Sequence, residues 1–223
     1  MCFSATASFT TAIVLTVTGY FTLRTIKNRR QLMLALIPFL FAAQQSIEGI
    51  FWLTSSDPTE FEHTVATGKY FYLFFAFIVW PMWIPLSLLC MEENRRPFYW
   101  LTAFSVIGTL YSLTLIVLLF FIWPSQSISV AVVNQSIQYD FPFSDKQALT
   151  LIYLIPTVVS PLFSTYKWIW ILGIANAIGC YIALSIYANS FVSVWCFFAA
   201  WVSICLYFIL RNSKPLNNNP QRP

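Results

Sequence analysis

The sequence carries little charge, because only 9% of its 223 residues are Asp, Glu, Lys or Arg. Soluble globular domains contain about 25% charged residues, so this composition excludes an ordinary water-soluble fold. The chain also lacks the high charge of disordered proteins, the heptads of coiled coils and the glycine period of collagen. Instead, 58% of its residues are hydrophobic and 19% are aromatic. This combination predicts an integral membrane protein.

Residues that common cofactors require are also scarce. The single histidine, His63, excludes a three-histidine zinc amidase and bis-histidine haem. The last apolar segment has no central lysine, which excludes a retinal protein. The chain contains no phosphate-binding loop, so we expect no nucleotide cofactor. The basic residues lie in short clusters beside apolar segments and form no groove for nucleic acid, so the lipid bilayer is the expected partner.

Seven apolar stretches predict an all-α bundle of seven transmembrane helices over residues 1–210, followed by a disordered tail at 211–223. The predicted spans are Phe3–Leu23, Gln31–Leu53, Tyr70–Cys90, Phe98–Trp123, Ala148–Thr165, Trp168–Tyr187 and Phe191–Leu210. The polar residues 57–63 and 124–146 are predicted loops. Two alternatives stay open: six spans, with Lys167 inside one broken helix, or a re-entrant third segment.

Basic residues predict the orientation of this bundle. With the N-terminus outside, the inner segments hold ten basic residues and the outer segments hold only Lys69 and Lys146. The ten are Arg24, Lys27, Arg29, Arg30, Arg95, Arg96, Lys167, Arg211, Lys214 and Arg222. Since cytoplasmic loops are enriched in Lys and Arg, we expect the N-terminus outside and the C-terminus inside the plasma membrane. Whether the protein forms a homo-oligomer is left open.

Glu48 is the acidic residue inside a predicted span. An ionisable group in hydrocarbon is costly unless it is paired, protonated or facing a wet cavity, so Glu48 is a functional candidate. Gln44 shares its helix face and Gln45 borders it, which predicts a polar stripe. In the structural alternative, a protonated Glu48 merely hydrogen-bonds to a neighbouring helix.

A second polar face is predicted on the first helix. Ser4, Ser8 and Thr11 fall on one side of that helix, and the run is expected to face the bundle interior. The alternative is that each hydroxyl bonds back to a carbonyl of its own helix.

Two cysteines are predicted to lie at the depth of Glu48, near the outer end of the bundle. Cys2 almost begins the chain, and Cys196 lies about one and a half turns into the last helix. Two thiolates and a carboxylate, with His63 from the loop above, would suit copper or zinc. Equal depth is not contact, so separate buried side chains are the alternative.

Prolines interrupt two of the predicted spans and are expected to kink or loosen them. They are Pro81 and Pro85 in the third span and Pro156 and Pro161 in the fifth. Such breaks favour a cavity, which we expect between the second, third, fifth and seventh helices. Trp80, Trp83 and Trp195 are expected to close this site to water.

Several segments carry a resemblance to a known family. They are the opening Met1–Phe9, Ala35–Pro38 with Gln44, Gln45, Glu48 and Gly49, then Tyr72–Pro85 and Ser193–Ala200. Together they resemble an uncharacterised bacterial family of polytopic membrane proteins, described only as a domain of unknown function. The resemblance extends from Met1 to about Leu210 and implies a polytopic membrane protein without an assigned activity.

The leading hypothesis is a membrane protein whose outward-facing polar pocket binds copper, zinc or a small ligand through Cys2, Glu48 and Cys196. Gln44, Gln45, Ser4 and Ser8 would support these groups with hydrogen bonds. One alternative is an enzyme with a cysteine nucleophile that acts on a lipid or amphiphile. Another is a proton-coupled transporter that uses Glu48, and a purely structural subunit is the last.

Overall fold

A computed structural model describes residues 4–122, 128–133, 135–141 and 147–213. Within these ranges, six helices are long and apolar enough to cross a membrane, and a further apolar helix is shorter. The long helices are α1 (Ala5–Thr25), α2 (Arg29–Thr54), α3 (Pro58–Met91), α4 (Arg95–Ile122), α6 (Ile169–Ile186) and α7 (Ala188–Arg211). The shorter helix, α5, begins with Gln147–Leu154 and ends with Ser160–Phe163. An apolar helical bundle typical of a membrane protein is therefore confirmed, and the tail beyond residue 213 lies outside the described residues.

The burial pattern of the bundle suits a lipid environment. Large apolar side chains face outward, among them Phe121, which is 79% exposed, and Tyr181, which is 72% exposed. Several polar side chains are instead completely buried, including Gln44, Gln45 and Glu48. In a bilayer the apolar exterior loses nothing by facing hydrocarbon, whereas polar groups must find partners inside the protein.

Helix α3 begins twelve residues earlier than the sequence pattern predicts. Residues 57–63 were expected to form a loop, but Glu60, Glu62 and His63 belong to the helix that starts at Pro58. Asp57 caps this helix by accepting hydrogen bonds from the backbone N–H groups of Thr59 and Glu60. Asp at the cap, Pro in the first turn and an acidic residue soon after form a recognised helix start. The loop prediction was wrong because it considered polarity and missed this signal.

The proline-containing helices do not break but change their hydrogen-bond pattern. α3 contains a π-helical segment, Phe74–Val79, directly before Pro81, and α5 contains another, Ile155–Val159. At the end of each segment the backbone N–H donates to the carbonyl five residues back, from Trp80 to Phe75 and from Ser160 to Ile155. A π turn shifts the pairing of N–H and carbonyl groups by one residue. The helix can therefore continue past a proline, which has no N–H to donate.

Side chains of neighbouring helices bind carbonyl groups in the first π-helical segment. The Tyr153 hydroxyl in α5 donates to the Ala76 carbonyl oxygen at 2.7 Å. The Ser112 hydroxyl in α4 donates to the Ile78 carbonyl oxygen at 2.8 Å. Polar contacts therefore join α4 and α5 to α3 at the point where the α3 backbone is irregular.

A β-hairpin lies between α4 and α5, where the sequence predicted a loop. Its antiparallel strands are β1 (Ser129–Val133) and β2 (Ser136–Asp140), with Val133 opposite Ser136. Ile137 and Tyr139 of β2 are buried against the bundle. The Ser136 and Ser190 hydroxyl oxygens lie 2.6 Å apart, which connects the hairpin to the start of α7. The loop expectation was wrong for these ten residues, and the fold is helical with one small hairpin.

The opposite end of the bundle gathers the basic residues and the helix turns. The Gln31 amide donates to the Tyr166 hydroxyl at 2.6 Å, which connects α2 to the turn between α5 and α6. Glu92 accepts the Thr165 N–H at 2.9 Å and thereby holds the same turn beside the end of α3. Lys167 lies in this turn, which separates α5 from α6 and does not form a single broken helix.

Gly108 allows the closest approach between α3 and α4. A Cβ atom built on Gly108 would lie 1.8 Å from the carbonyl oxygen of Pro81. This carbonyl cannot receive a helical hydrogen bond from residue 85, since Pro85 has no N–H. The α4 backbone thus packs against a carbonyl that proline leaves without its helical donor.

We expect Gly108→Ala to lower the unfolding free energy in detergent by about 3 kcal/mol, at the upper end of overpacking effects. The reason is that a methyl group there meets a backbone atom, which cannot rotate away. Gly179→Ala is the matched control, because its new Cβ would lie 3.0 Å from the side chain of Phe198. Equal losses of stability in the two variants, followed by denaturant titration, would contradict the close contact at Pro81.

Candidate functional site

Glu48 lies inside the bundle on α2 and is completely buried. Its carboxyl group accepts a hydrogen bond from the Tyr139 hydroxyl at 3.4 Å. The Tyr139 ring stacks on the ring of Tyr72, with centroids 4.5 Å apart and an angle of 6° between the planes. A residue of the hairpin thus reaches the membrane-spanning carboxyl group and is held there by a residue of α3.

Cys196 joins this group from α7. Its buried thiol is near enough to the Glu48 carboxyl group, Gln44 and Tyr72 to interact with them electrostatically. The structure therefore brings the thiol and the carboxyl group, which the sequence only put at a similar depth, into the same region of the bundle.

The two glutamines of the predicted stripe are buried beside Glu48 and have different surroundings. Gln44 accepts a hydrogen bond from the Trp80 indole N–H at 2.9 Å, and the Trp80 ring stacks on Phe41. Gln45 has no hydrogen-bond partner for either amide atom among the residues that the structure describes. An unpaired buried amide costs about 1–3 kcal/mol, so this position favours a bound water or ligand.

Helix α1 contributes one of its predicted serines to the polar interior. Ser8 is completely buried, and its hydroxyl has no partner within the described ranges. Ser4 is instead exposed and caps α1 by accepting a hydrogen bond from the Ala7 N–H at 3.2 Å. Phe9 packs against Gly49, where an added Cβ would lie 2.8 Å from the ring. The first turns of α1 are thus close to the part of α2 that carries Glu48.

The other two proposed metal ligands are Cys2 and His63. Cys2 lies outside the described residues. His63 is exposed on α3, nine residues before Tyr72, which corresponds to about 13 Å along the helix. Across the described part of the chain, no three His, Cys, Asp or Glu side chains are grouped so that they could hold a metal ion.

The three tryptophans have separate positions. Trp80 lies beside Gln44, as described above. Trp83 donates to the Met33 carbonyl oxygen at 2.9 Å and so is directed toward the start of α2, away from Glu48. Trp195 donates to the Asn176 side-chain oxygen at 2.9 Å and lines a cavity. Trp83 therefore does not lie at the same site as Trp80 and Trp195, although the sequence led us to expect all three there.

The cavity has a volume of about 500 Å³ and lies at the hairpin end of the bundle. Seven aromatic side chains line it: Phe77, Tyr111, Tyr139, Phe141, Tyr153, Phe191 and Trp195. Polar groups of Gln138, Asp140, Thr150 and Asn189 also face it. Tyr139 and Cys196 line this cavity, and Tyr139 also donates a hydrogen bond to Glu48, so Tyr139 separates the open space from the buried carboxyl group.

The walls of the cavity differ from those predicted. Residues of α3, α5 and α7 line it as expected, but Tyr111 of α4 and the end of strand β2 complete it. Glu48 of α2 lies behind Tyr139 and is not among the described lining residues. The sequence did not reveal the hairpin, whose Gln138, Tyr139 and Asp140 line the cavity in front of Glu48.

Tyrosines are the site residues that the sequence did not identify. Tyr139 donates to Glu48 and stacks on Tyr72, while Tyr111 and Tyr153 line the cavity. Tyr139 had one usable signal, since polar and apolar residues alternate over Ser136–Asp140, a β-strand pattern that puts Ile137 and Tyr139 on one face. For Tyr72, Tyr111 and Tyr153, nothing distinguishes site tyrosines from aromatic packing in an apolar sequence.

Comparison with known proteins supports the resemblance noted in the sequence. No curated protein and no solved structure matches the chain. A family model described as "Family of unknown function (DUF6629)" matches residues 1–221. The chain therefore belongs to this family of unknown function, DUF6629.

Proposed function

We propose that the protein is a seven-helix receptor-like protein of the bacterial plasma membrane that binds a small organic molecule in its cavity. The observation that carries this proposal is the position of Tyr139, which lines the cavity and donates a hydrogen bond to Glu48, with Cys196 lining the same cavity close by. A ligand in the cavity would therefore act on the buried carboxyl group through Tyr139. The cavity volume of about 500 Å³ lies within the 300–1,000 Å³ common for small-molecule sites.

The proposed orientation follows from the distribution of charge. Eight basic residues within the described ranges lie at or near the bundle end that holds the turns after α1, α3 and α5 and the end of α7. They are Arg24, Lys27, Arg29, Arg30, Arg95, Arg96, Lys167 and Arg211. The cavity lies at the opposite end. By the bias of Lys and Arg toward the cytoplasm, the cavity opens to the outside.

Access to Cys196 tests the opening of the cavity. Cys180 and Cys196 are exposed to nearly the same small extent, 5% and 6%, but only Cys196 lines the cavity among the described residues. In single-cysteine variants, we expect the small neutral reagent methyl methanethiosulfonate to reach and modify Cys196 in right-side-out membrane vesicles. We expect Cys180 to react at least about tenfold more slowly, because a buried thiol without a path to water is inert. Mass spectrometry of the protein gives both rates.

A matched variant checks that the reagent enters through the cavity. Thr150→Trp places a large ring on the cavity wall, and it should slow the modification of Cys196. If Cys196 and Cys180 react at equal rates, or if Thr150→Trp changes nothing, Cys196 has no connection to the outside and the proposed function fails.

Metal binding is the second candidate, and the electrostatic interaction between Cys196 and Glu48 favours it. A thiolate and a carboxylate are ligands for zinc, and thiolates also select copper in its reduced form. Cys2 would complete the set, since it lies two residues before Ser4, the cap of the helix that packs beside Glu48. His63 does not take part in this proposal because of its exposed position on α3.

For this second candidate, we expect purified protein to take up one equivalent of zinc or Cu(I) in equilibrium dialysis. Cys196→Ser and Cys2→Ser should each weaken binding by at least about tenfold, the lower range for loss of a metal-site group. Cys205→Ser, at an exposed position on α7, is the control and should leave uptake unchanged. Metal uptake that is the same in all three variants, or no uptake by the unaltered protein, rejects the metal site.

A further inference from the structure

We propose that the ligand of the cavity is a small organic cation, such as a quaternary or primary ammonium compound. This inference rests on the proposed ligand-binding function and names the chemical class of the ligand. It draws on the aromatic walls of the cavity, on the charges around its opening, and on the acidic group behind it.

The aromatic rings of the cavity form a continuous wall. Phe77 contacts Phe141 and Tyr153 edge to face, with ring centroids 5.2 and 6.1 Å apart. Tyr153 in turn meets Trp195 edge to face at 5.4 Å, and Phe191 stacks on Trp195 at 5.2 Å. The negative face of an aromatic ring attracts cations, and a ring of such faces is a recurrent site for ammonium groups.

Hydrogen bonds already engage the polar ends of three of these rings. The Tyr153 hydroxyl donates to the Ala76 carbonyl oxygen at 2.7 Å. The Trp195 N–H donates to Asn176 at 2.9 Å, and the Tyr139 hydroxyl donates to Glu48 at 3.4 Å. These bonds fix the orientation of the rings and occupy the polar groups of Tyr153, Trp195 and Tyr139, so what these three residues offer a ligand is mainly their aromatic surface.

Charge at this end of the bundle also favours a cation. Asp140 is exposed at the end of β2 and lines the cavity. No lysine or arginine lines it within the ranges that the structure describes. The Lys69 ammonium group, in the half of α3 nearer the hairpin, donates to the Ile128 carbonyl oxygen at 2.8 Å and is not among those lining residues. An anionic ligand would thus meet aromatic faces and a carboxylate, whereas a cation meets groups that attract it.

The buried polar group gives the cation a second point of attraction. Glu48 lies directly behind Tyr139 and Cys196, where the surrounding protein is apolar and the effective dielectric is low. A positive charge in the cavity would be attracted toward the Glu48 carboxyl group, and an uncharged ligand of the same shape would not be.

The test compares choline with 3,3-dimethyl-1-butanol, a neutral molecule of the same shape. Each compound is titrated against the modification of Cys196 by methyl methanethiosulfonate in the single-cysteine protein. We expect choline to protect Cys196 with an apparent affinity at least about tenfold higher than the neutral molecule, since a desolvated cation–π site distinguishes charge by about this factor. The reagent is uncharged, so repulsion between it and choline does not produce the protection.

Two variants and a control locate the effect. Trp195→Leu should weaken protection by choline about tenfold because it removes a central ring face. Asp140→Asn, which changes an exposed strand end and spares the interior, should weaken it about two- to fivefold. Trp201→Leu on the outer face of α7, where the side chain is 43% exposed, should leave protection unchanged.

The outcomes separate this inference from the proposed function. Equal protection by the two molecules, or protection by neither while Cys196 is still modified, overturns the cation and leaves the open cavity in place. Failure of the reagent to modify Cys196 at all overturns the open cavity and the cation together. Protection by choline that is insensitive to both Trp195→Leu and Asp140→Asn also overturns the inference, because the cation would then bind elsewhere.

Discussion

A carboxyl group buried in an apolar bundle is the constraint on which the rest of the structure depends. Glu48 cannot lie among hydrocarbon side chains without polar contacts, because the loss of hydration is too costly. Its neighbours are a hydroxyl from the hairpin, a thiol from α7 and the amide-bearing face of α2. These groups come from parts of the chain about 90 and 150 residues apart, so one polar centre specifies how distant segments assemble.

The irregular backbone of α3 and α5 is the second part of this design. Prolines in both helices coincide with π-helical segments, and side chains of neighbouring helices bind the carbonyl groups there. Ala76 and Phe77 from the α3 segment line the cavity, as does Tyr153 just before the α5 segment. The local widening of these helices thus contributes directly to the space beside Glu48. π turns often occur at functional sites for this reason, since they re-aim side chains without breaking a helix.

The sequence predicts the membrane class and the approximate helices, because long apolar stretches and their basic flanks are strong signals. It also singles out Glu48 and Cys196 by their chemistry and depth. It does not predict the hairpin, whose strands are short, nor the helical start at Pro58, which polarity obscures. The contact of Tyr139 with Glu48 joins residues 91 positions apart, and no local pattern carries such a pairing. Trp80 and Trp83 look alike in sequence, yet only the packing of α3 directs one to Gln44 and the other to Met33.

The most direct test of the central contact is a double-mutant cycle between Glu48→Gln and Tyr139→Phe. The unfolding free energies of the four proteins are measured in mixed detergent micelles by titration with a denaturing detergent. If the hairpin hydroxyl binds the buried carboxyl group, the two changes are coupled by at least about 0.5 kcal/mol, as expected for residues in contact. Additive losses, with no coupling beyond the error, would show that the hairpin and Glu48 do not interact and would contradict the polar centre on which this account rests.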